Sequence, residues 1–399
     1  MIQVILLLVA VSALILHERL TRRPDGVARA AVRWALLGFV LVTAAVAGPA
    51  LRLQVAALLN DPAMVPTVPF DSAGDPLGAK ALAAQRPQHP FPSGAADAVS
   101  SWQEHIRAVL RDEQDLELTR GESVLSVPTD VLRTESVGTI RRTLIRYTSW
   151  DGTRIPAYVL APDGVPKGAV LVVPGHGVGI GATAGLVEEY QHQAALALAR
   201  RGYLTLTPEL RGFGMLAPDG LPSHRVVAAA ALAAGTSYKA LVARDLHRAL
   251  TVLEQWPGAD RTRLAVVGTS LGGELAVLLA ALDQRVKVTV SNSYGGVAGP
   301  VAEDDENNDE ADQTPHGCHT MPGINRILLQ EDWVRLVAPR PVLIVRGRGN
   351  LSSRAAAYQA LVREAYRASG AADRFGFQVE DGAHEFYQEA TAQFLERWL

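Results

Sequence analysis

Leu264-Ala-Val-Val-Gly-Thr-Ser-Leu-Gly-Gly273 is the stretch on which the reading of the whole chain turns. A short β-branched run, Leu264 to Val267, ends in glycine, and a serine stands two residues on. Two glycines and an apolar helical stretch, Glu274 to Leu282, follow. The order is strand, sharp turn, helix, with Ser270 at the turn. Gly268, Ser270 and Gly272 form a Gly-x-Ser-x-Gly pattern in the context that a nucleophile elbow requires. Small residues are needed on both sides of the serine because the turn is tight and backbone passes close by.

Outward from this turn, strands and helices alternate. Upstream, Arg142 to Ser149 and Arg154 to Leu160 flank Asp151-Gly152, a strong hairpin signal. Ala169 to Val173 is a wholly apolar strand suited to the middle of a sheet. A helix is expected over Val187 to Arg201, stopped by Gly202, then a strand over Tyr203 to Thr207 and a helix over Tyr238 to Trp256. Downstream come strands Val286 to Ser291, Pro341 to Val345 and Phe375 to Val379, with helices Ala355 to Ala368 and Phe386 to Leu399. Trp102 to Leu116 carries apolar residues at helical spacing. The alternation predicts an α/β fold with a mostly parallel central sheet covered by helices on both faces.

Five short motifs lie in order along this body: Gly175-His-Gly177, Arg211-Gly-Phe-Gly214, Gly268-Thr-Ser-Leu-Gly-Gly273, Ala338-Pro-Arg-Pro341 and Gly382-Ala-His384. In that order, from about Trp102 to the C-terminus, the chain resembles the α/β-hydrolase superfamily, in its dienelactone-hydrolase-like and acetyl-xylan-esterase-like branches. The resemblance implies an esterase acting on a small-molecule carboxylic ester, with no cofactor. Ser270 would attack, and His384, in the loop after the last strand, would take its proton, because a serine hydroxyl alone is a weak nucleophile. The oxyanion would be held by backbone N–H groups of Leu271 and of the Gly175-His-Gly177 loop, His176 first and Gly177 next. One such donor lowers the barrier by roughly 3–4 kcal/mol.

The same resemblance exposes a departure. The triad acid is expected a few residues past the strand ending at Val345, where the chain reads Arg346-Gly-Arg-Gly-Asn350. Asparagine can orient an imidazole but cannot stabilise an imidazolium by charge, and in the serine-protease example the exchange lowers turnover about 10⁴-fold. Three readings stand. Asp381 or the acidic loop after Ser291 supplies the carboxylate; Asn350 serves as a neutral orienter in a slow enzyme; or the domain is a non-catalytic binding module.

Glu303 to Asp312 packs seven acidic residues into ten, with His316, Cys318 and His319 close behind. The spacing fits neither a zinc pattern nor the calcium loop, so the stretch reads as a solvated rim with no metal and Cys318 as a packing residue. The insertion Met215 to Gly235, rich in alanine and valine, is expected to form one wall of the pocket.

Ahead of this body stand two uncharged apolar runs, Met1 to Leu16 and Trp34 to Leu51, separated by a loop with five arginines against Glu18 and Asp25. Runs that are apolar all round belong in lipid or a deep core. The arginine loop belongs in the cytoplasm by the positive-inside rule. Residues 1–51 are therefore expected to form a transmembrane hairpin and the remainder to lie on the extracytoplasmic side of the cell membrane. A cleaved signal peptide is the competing reading of the first run, which lacks a positively charged start. Residues 52–100, rich in proline and alanine, read as a spacer, and 101–399 as the catalytic domain. A net charge of -3 over 399 residues carries no basic stripe of the kind nucleic acid demands. A single cysteine excludes an internal disulfide.

Overall fold

Ala169–Val173 (β4) has every residue buried, and it runs up the middle of a nine-stranded sheet ordered β1-β2-β3-β5-β4-β6-β7-β8-β9. A computed structural model of the chain describes residues 87–92, 96–119, 126–217, 223–293, 317–351 and 354–399. The other strands are Thr129–Val137 (β1), Ile140–Thr148 (β2), Arg154–Ala161 (β3), Leu204–Pro208 (β5), Leu264–Thr269 (β6), Val288–Asn292 (β7), Val342–Gly347 (β8) and Phe375–Glu380 (β9). β1, β2 and β3 form an antiparallel meander, and β3 pairs antiparallel with β5. From β5 to β9 every pairing is parallel. The central strands β4, β5, β6 and β7 are buried along their whole length; β4 is apolar throughout, whereas β5 and β7 alternate aliphatic residues with buried threonine or serine. Each fully buried Val or Leu there contributes about 1.5–3 kcal/mol.

Helices cover the two faces: Ala96–Gln114 (α1), Ile180–Thr183 (α2), Ala194–Arg200 (α3), His224–Ala233 (α4), Tyr238–Gln255 (α5), Leu271–Leu282 (α6), Gln330–Arg335 (α7), Ala355–Ala368 (α8) and Gln388–Trp398 (α9). One apolar cluster joins α1, α5, α6 and α7 to the sheet, and a second, under α3 and α9, fills the opposite side. The outer edge is tied in by Arg211. Its guanidinium binds Asp245 of α5 at 2.6 and 2.8 Å and Asp151 in the β2–β3 turn at 2.7 and 3.0 Å.

Three elements differ from the sequence expectations, each for a local reason. β1 was not anticipated, and most of its residues are exposed, so it carries no core alternation. The helix expected from Val187 begins only at Ala194, because His192 and Gln193 take left-handed conformations (φ 45° and 53°). α1 starts at Ala96, inside the expected spacer. Residues ahead of it pack on the domain: the Trp102 indole donates to the His89 carbonyl at 2.9 Å, and Phe91 meets the Trp102 ring edge-on. All described residues belong to the unit Gly78–Leu399. The expected hairpin, 1–51, lies outside them, and among the described residues no single helix is long and apolar enough to cross a membrane.

Candidate active site

Ser270 sits between β6 and α6 with φ 59° and ψ −124° and is 8% exposed. Such a backbone costs a non-glycine residue about 1–3 kcal/mol and is held only by its surroundings. Those surroundings are backbone. A Cβ on Gly272 would lie 2.0 Å from the Val173 carbonyl, and one on Gly268 would lie 2.0 Å from the Gly272 carbonyl. The Ser270 N–H donates to the Asn292 carbonyl at the end of β7 (2.9 Å). The serine is thus pinned where three strand ends meet. Leu271 opens α6, so its N–H, like the first amides of any helix, has no partner within the helix and is available to an oxyanion.

The Gly175-His-Gly177 loop closes over the serine. A Cβ on Gly175 would meet the Ser270 Cβ at 3.1 Å and the Tyr190 hydroxyl at 2.3 Å. The Gly175 N–H donates to Gln191 Oε1 (2.7 Å), so this amide is engaged elsewhere. The Tyr190 hydroxyl donates to the His176 carbonyl (2.7 Å), and its ring lies 5.6 Å from that of His384. Tyr190 and Gln191 therefore hold the loop. Both lie in the stretch read from sequence as helix, and no motif marks them.

His384 follows β9 and meets Asn350, which ends a 3₁₀ turn after β8. The Asn350 amide nitrogen lies 2.8 Å from His384 Nδ1. The two loops are joined by a bond from the Gly349 N–H to the Gly382 carbonyl (3.0 Å). Asn350 thus occupies the place at Nδ1 that a triad acid takes. An amide donating to Nδ1 leaves the imidazole proton on Nε2, the wrong tautomer for a general base. Turning the amide by 180° presents Oδ1 instead and restores the productive tautomer. Asp381 is directed elsewhere: its side chain is 91% exposed and pairs with Arg348 at 2.9 Å. The expectation that Asp381 orients His384 is not supported by this placement, because the loop turns the carboxylate to solvent. The acidic stretch Glu303 to Asp312 lies outside the described residues.

On the far side of the oxyanion loop is a polar cluster that sequence reading largely missed. Glu274, one turn into α6, is fully buried; it pairs with the buried Lys239 of α5 and with His319 Nδ1 (2.6 Å). Burial alone would raise the Glu274 carboxyl, but Lys239 and His319 outweigh it and hold it down at about 2. Cys318 Sγ lies 3.4 Å from His176 Nε2. Burial, reinforced by the Glu274 charge, pushes the thiol up to about 12, so Cys318 is no nucleophile at neutral pH. His224, from the insertion Met215 to Gly235, stacks on Phe213 and meets the His176 ring at 5.0 Å, which brings that insertion to the loop. A cavity of about 460 Å³ lined by Glu188, His192 and Gln193 does not include Ser270.

Glu209 ties together the segments that open at Ile180 and Met215. Its carboxylate accepts the Ile180 N–H (3.2 Å) and the Met215 N–H (3.0 Å).

The dienelactone hydrolase family matches residues 155–317 of the chain. No curated protein sequence matches it. Among solved structures, a Bacteroides fragilis protein provisionally named an acetyl xylan esterase is similar with a TM-score of 0.64 at 20% identity, covering 77% of this chain and 84% of that one. The methylesterase BT1017 is similar with a TM-score of 0.59 at 18% identity, covering 77% of this chain and 65% of that one. A glucuronoyl esterase from Solibacter usitatus is similar with a TM-score of 0.55 at 15% identity, covering 76% and 93%. These likenesses establish the α/β-hydrolase fold.

Burial, offset in part by the Met215 and Ile180 amides, raises the Glu209 carboxyl to about 7. An unfolded glutamate titrates near 4.3. Between these values the native state keeps a proton that the unfolded chain has lost, so this group's contribution to stability falls as pH rises from about 4.3 to 7. In Glu209→Gln that contribution is absent. Urea unfolding at pH 5 and pH 7.5 is expected to show wild type losing about 2.5 kcal/mol more than the variant. Parallel losses would contradict the assignment.

Proposed function

We propose that the chain is a serine hydrolase of carboxylic esters acting through an acyl-enzyme on Ser270. The observation that carries the reading is the joint placement of Ser270 at a strained elbow and His384 on the converging loop, its Nδ1 engaged by Asn350. Ser270 Oγ attacks the ester carbonyl as His384 Nε2 takes its proton. The oxyanion is held by the Leu271 N–H together with that of His176 or Gly177. His384 returns the proton to the leaving alcohol, and a water repeats the sequence to free the acid. The named neighbours, an acetyl xylan, a methyl and a glucuronoyl esterase, support an ester as substrate and share no single acid or alcohol. Asn350 makes this a slow triad. A second reading, a ligand-binding module without turnover, rests on Asn350 alone.

The order of activities on an activated ester decides the acid. Asn350→Asp is expected to raise kcat at least ~10-fold, since a carboxylate fixes the tautomer and stabilises the imidazolium. Asn350→Ala is expected to lower it, and Asp381→Asn to leave it within about 2-fold, as befits an exposed ion pair. A greater loss in Asp381→Asn than in Asn350→Ala would reverse the assignment.

The N-terminal hairpin is likewise part of the proposal: residues 1–51 anchor the chain and set the hydrolase outside the cytoplasm, a reading supported by two uncharged runs around an arginine-rich loop. In a bacterial host the full chain should stay in the membrane pellet through a carbonate wash, and protease added outside spheroplasts should digest it. Release by the wash, or protection from external protease, would contradict the anchor or its orientation respectively.

A further inference from the structure

His176, Cys318 and His319 each offer one donor atom, and the three atoms lie within 4.8 Å of one another. They come from two distant parts of the chain. His176 follows β4 in the oxyanion loop, and Cys318 and His319 form part of a 3₁₀ turn, Gly317–His319, that packs beside α4 and α5. Their separation of some 140 residues hides them from any spacing rule. We propose that they form a binding site for one divalent transition-metal ion of the zinc type.

Chemistry and geometry agree on the class of ion. One sulfur and two imidazole nitrogens suit zinc and its neighbours, whereas magnesium and calcium take oxygen. On a tetrahedral zinc, with Zn–S about 2.3 Å and Zn–N about 2.0–2.1 Å, a sulfur and a nitrogen stand roughly 3.5 Å apart. Cys318 Sγ and His176 Nε2 are 3.4 Å apart. The remaining separations need only side-chain adjustments on the order of 1 Å to reach bonding range.

The surroundings carry the second, independent observation. Ligating imidazoles are characteristically held through their other nitrogen by a carboxylate. Glu274 does this for His319, at 2.6 Å from Nδ1, and is itself fully buried. Its other oxygen pairs with Lys239, which also donates to the His319 carbonyl (2.7 Å). This buried carboxylate and ammonium are otherwise costly to desolvate. Together they fix the backbone and ring of His319. On binding, the Cys318 thiol gives up its proton, and the thiolate and two neutral imidazoles leave one position of a tetrahedral ion for water or another ligand. Through His176 the ion would tie the oxyanion loop to the α6 residue that follows the nucleophile by one turn.

Cobalt(II) is the probe. The full chain, stripped with a chelator and titrated with Co²⁺, is expected to take up one equivalent with visible bands of four-coordinate cobalt and a near-ultraviolet thiolate-to-cobalt band, all displaced by Zn²⁺. Cys318→Ser should lose the thiolate band and bind at least ~10-fold more weakly. X-ray absorption of the zinc-loaded wild type, which needs no variant to fold, should show one sulfur at about 2.3 Å with nitrogen at about 2.0 Å. Failure of the folded chain to take up metal, an all-oxygen and nitrogen shell, or an unchanged thiolate band in Cys318→Ser would overturn the site. None of these readouts depends on ester turnover, so the metal and the esterase reading can fail separately.

Discussion

The end of β4 and the start of α6 touch backbone to backbone: a single Cβ on Gly272 would collide with the Val173 carbonyl at 2.0 Å. Everything at the site depends on that approach. It brings the helix close enough beneath the strand for the chain to reverse within a residue, and the reversal forces Ser270 to φ 59°. The strain is retained because the buried parallel strands on either side cannot shift without losing apolar packing that contributes far more. A serine presented in this way is a property of the sheet, and the side chains around it refine the result.

The loops hung on this frame are fixed by polar groups that cost energy to bury. Glu209 collects amides from the segments opened by Ile180 and Met215, Gln191 takes the Gly175 amide, and Tyr190 reaches the His176 carbonyl. Arg211 braces the sheet edge to α5 through Asp151 and Asp245. The loops carrying Asn350 and His384 meet through a backbone hydrogen bond, the Asn350–His384 contact and the exposed Arg348–Asp381 pair. With a neutral amide at Nδ1, the imidazolium formed during attack loses the charge stabilisation a carboxylate gives, which is why the proposed enzyme is slow.

How much of this was readable in the chain depends on the kind of signal. The buried strands Ala169–Val173 and Leu264–Thr269 announce themselves by composition, and α8 matches its expected bounds because its pattern repeats over fourteen residues. β1 did not, because a mostly exposed edge strand has no apolar alternation. Ser270, His384 and Asn350 were nameable because each follows a recognisable strand. Tyr190, Gln191 and Glu209 were not recognised, because their work is to hold backbone atoms at a distance in sequence. The cluster of His176 with Cys318 and His319 is hidden for the same reason.

Intact mass after exposure to a fluorophosphonate reads directly whether Ser270 is a working nucleophile. One phosphonyl adduct is expected on the folded native chain, carried by the peptide containing Ser270 and absent from Ser270→Ala. A folded native chain that gains no adduct, or gains it undiminished in Ser270→Ala, would contradict the account.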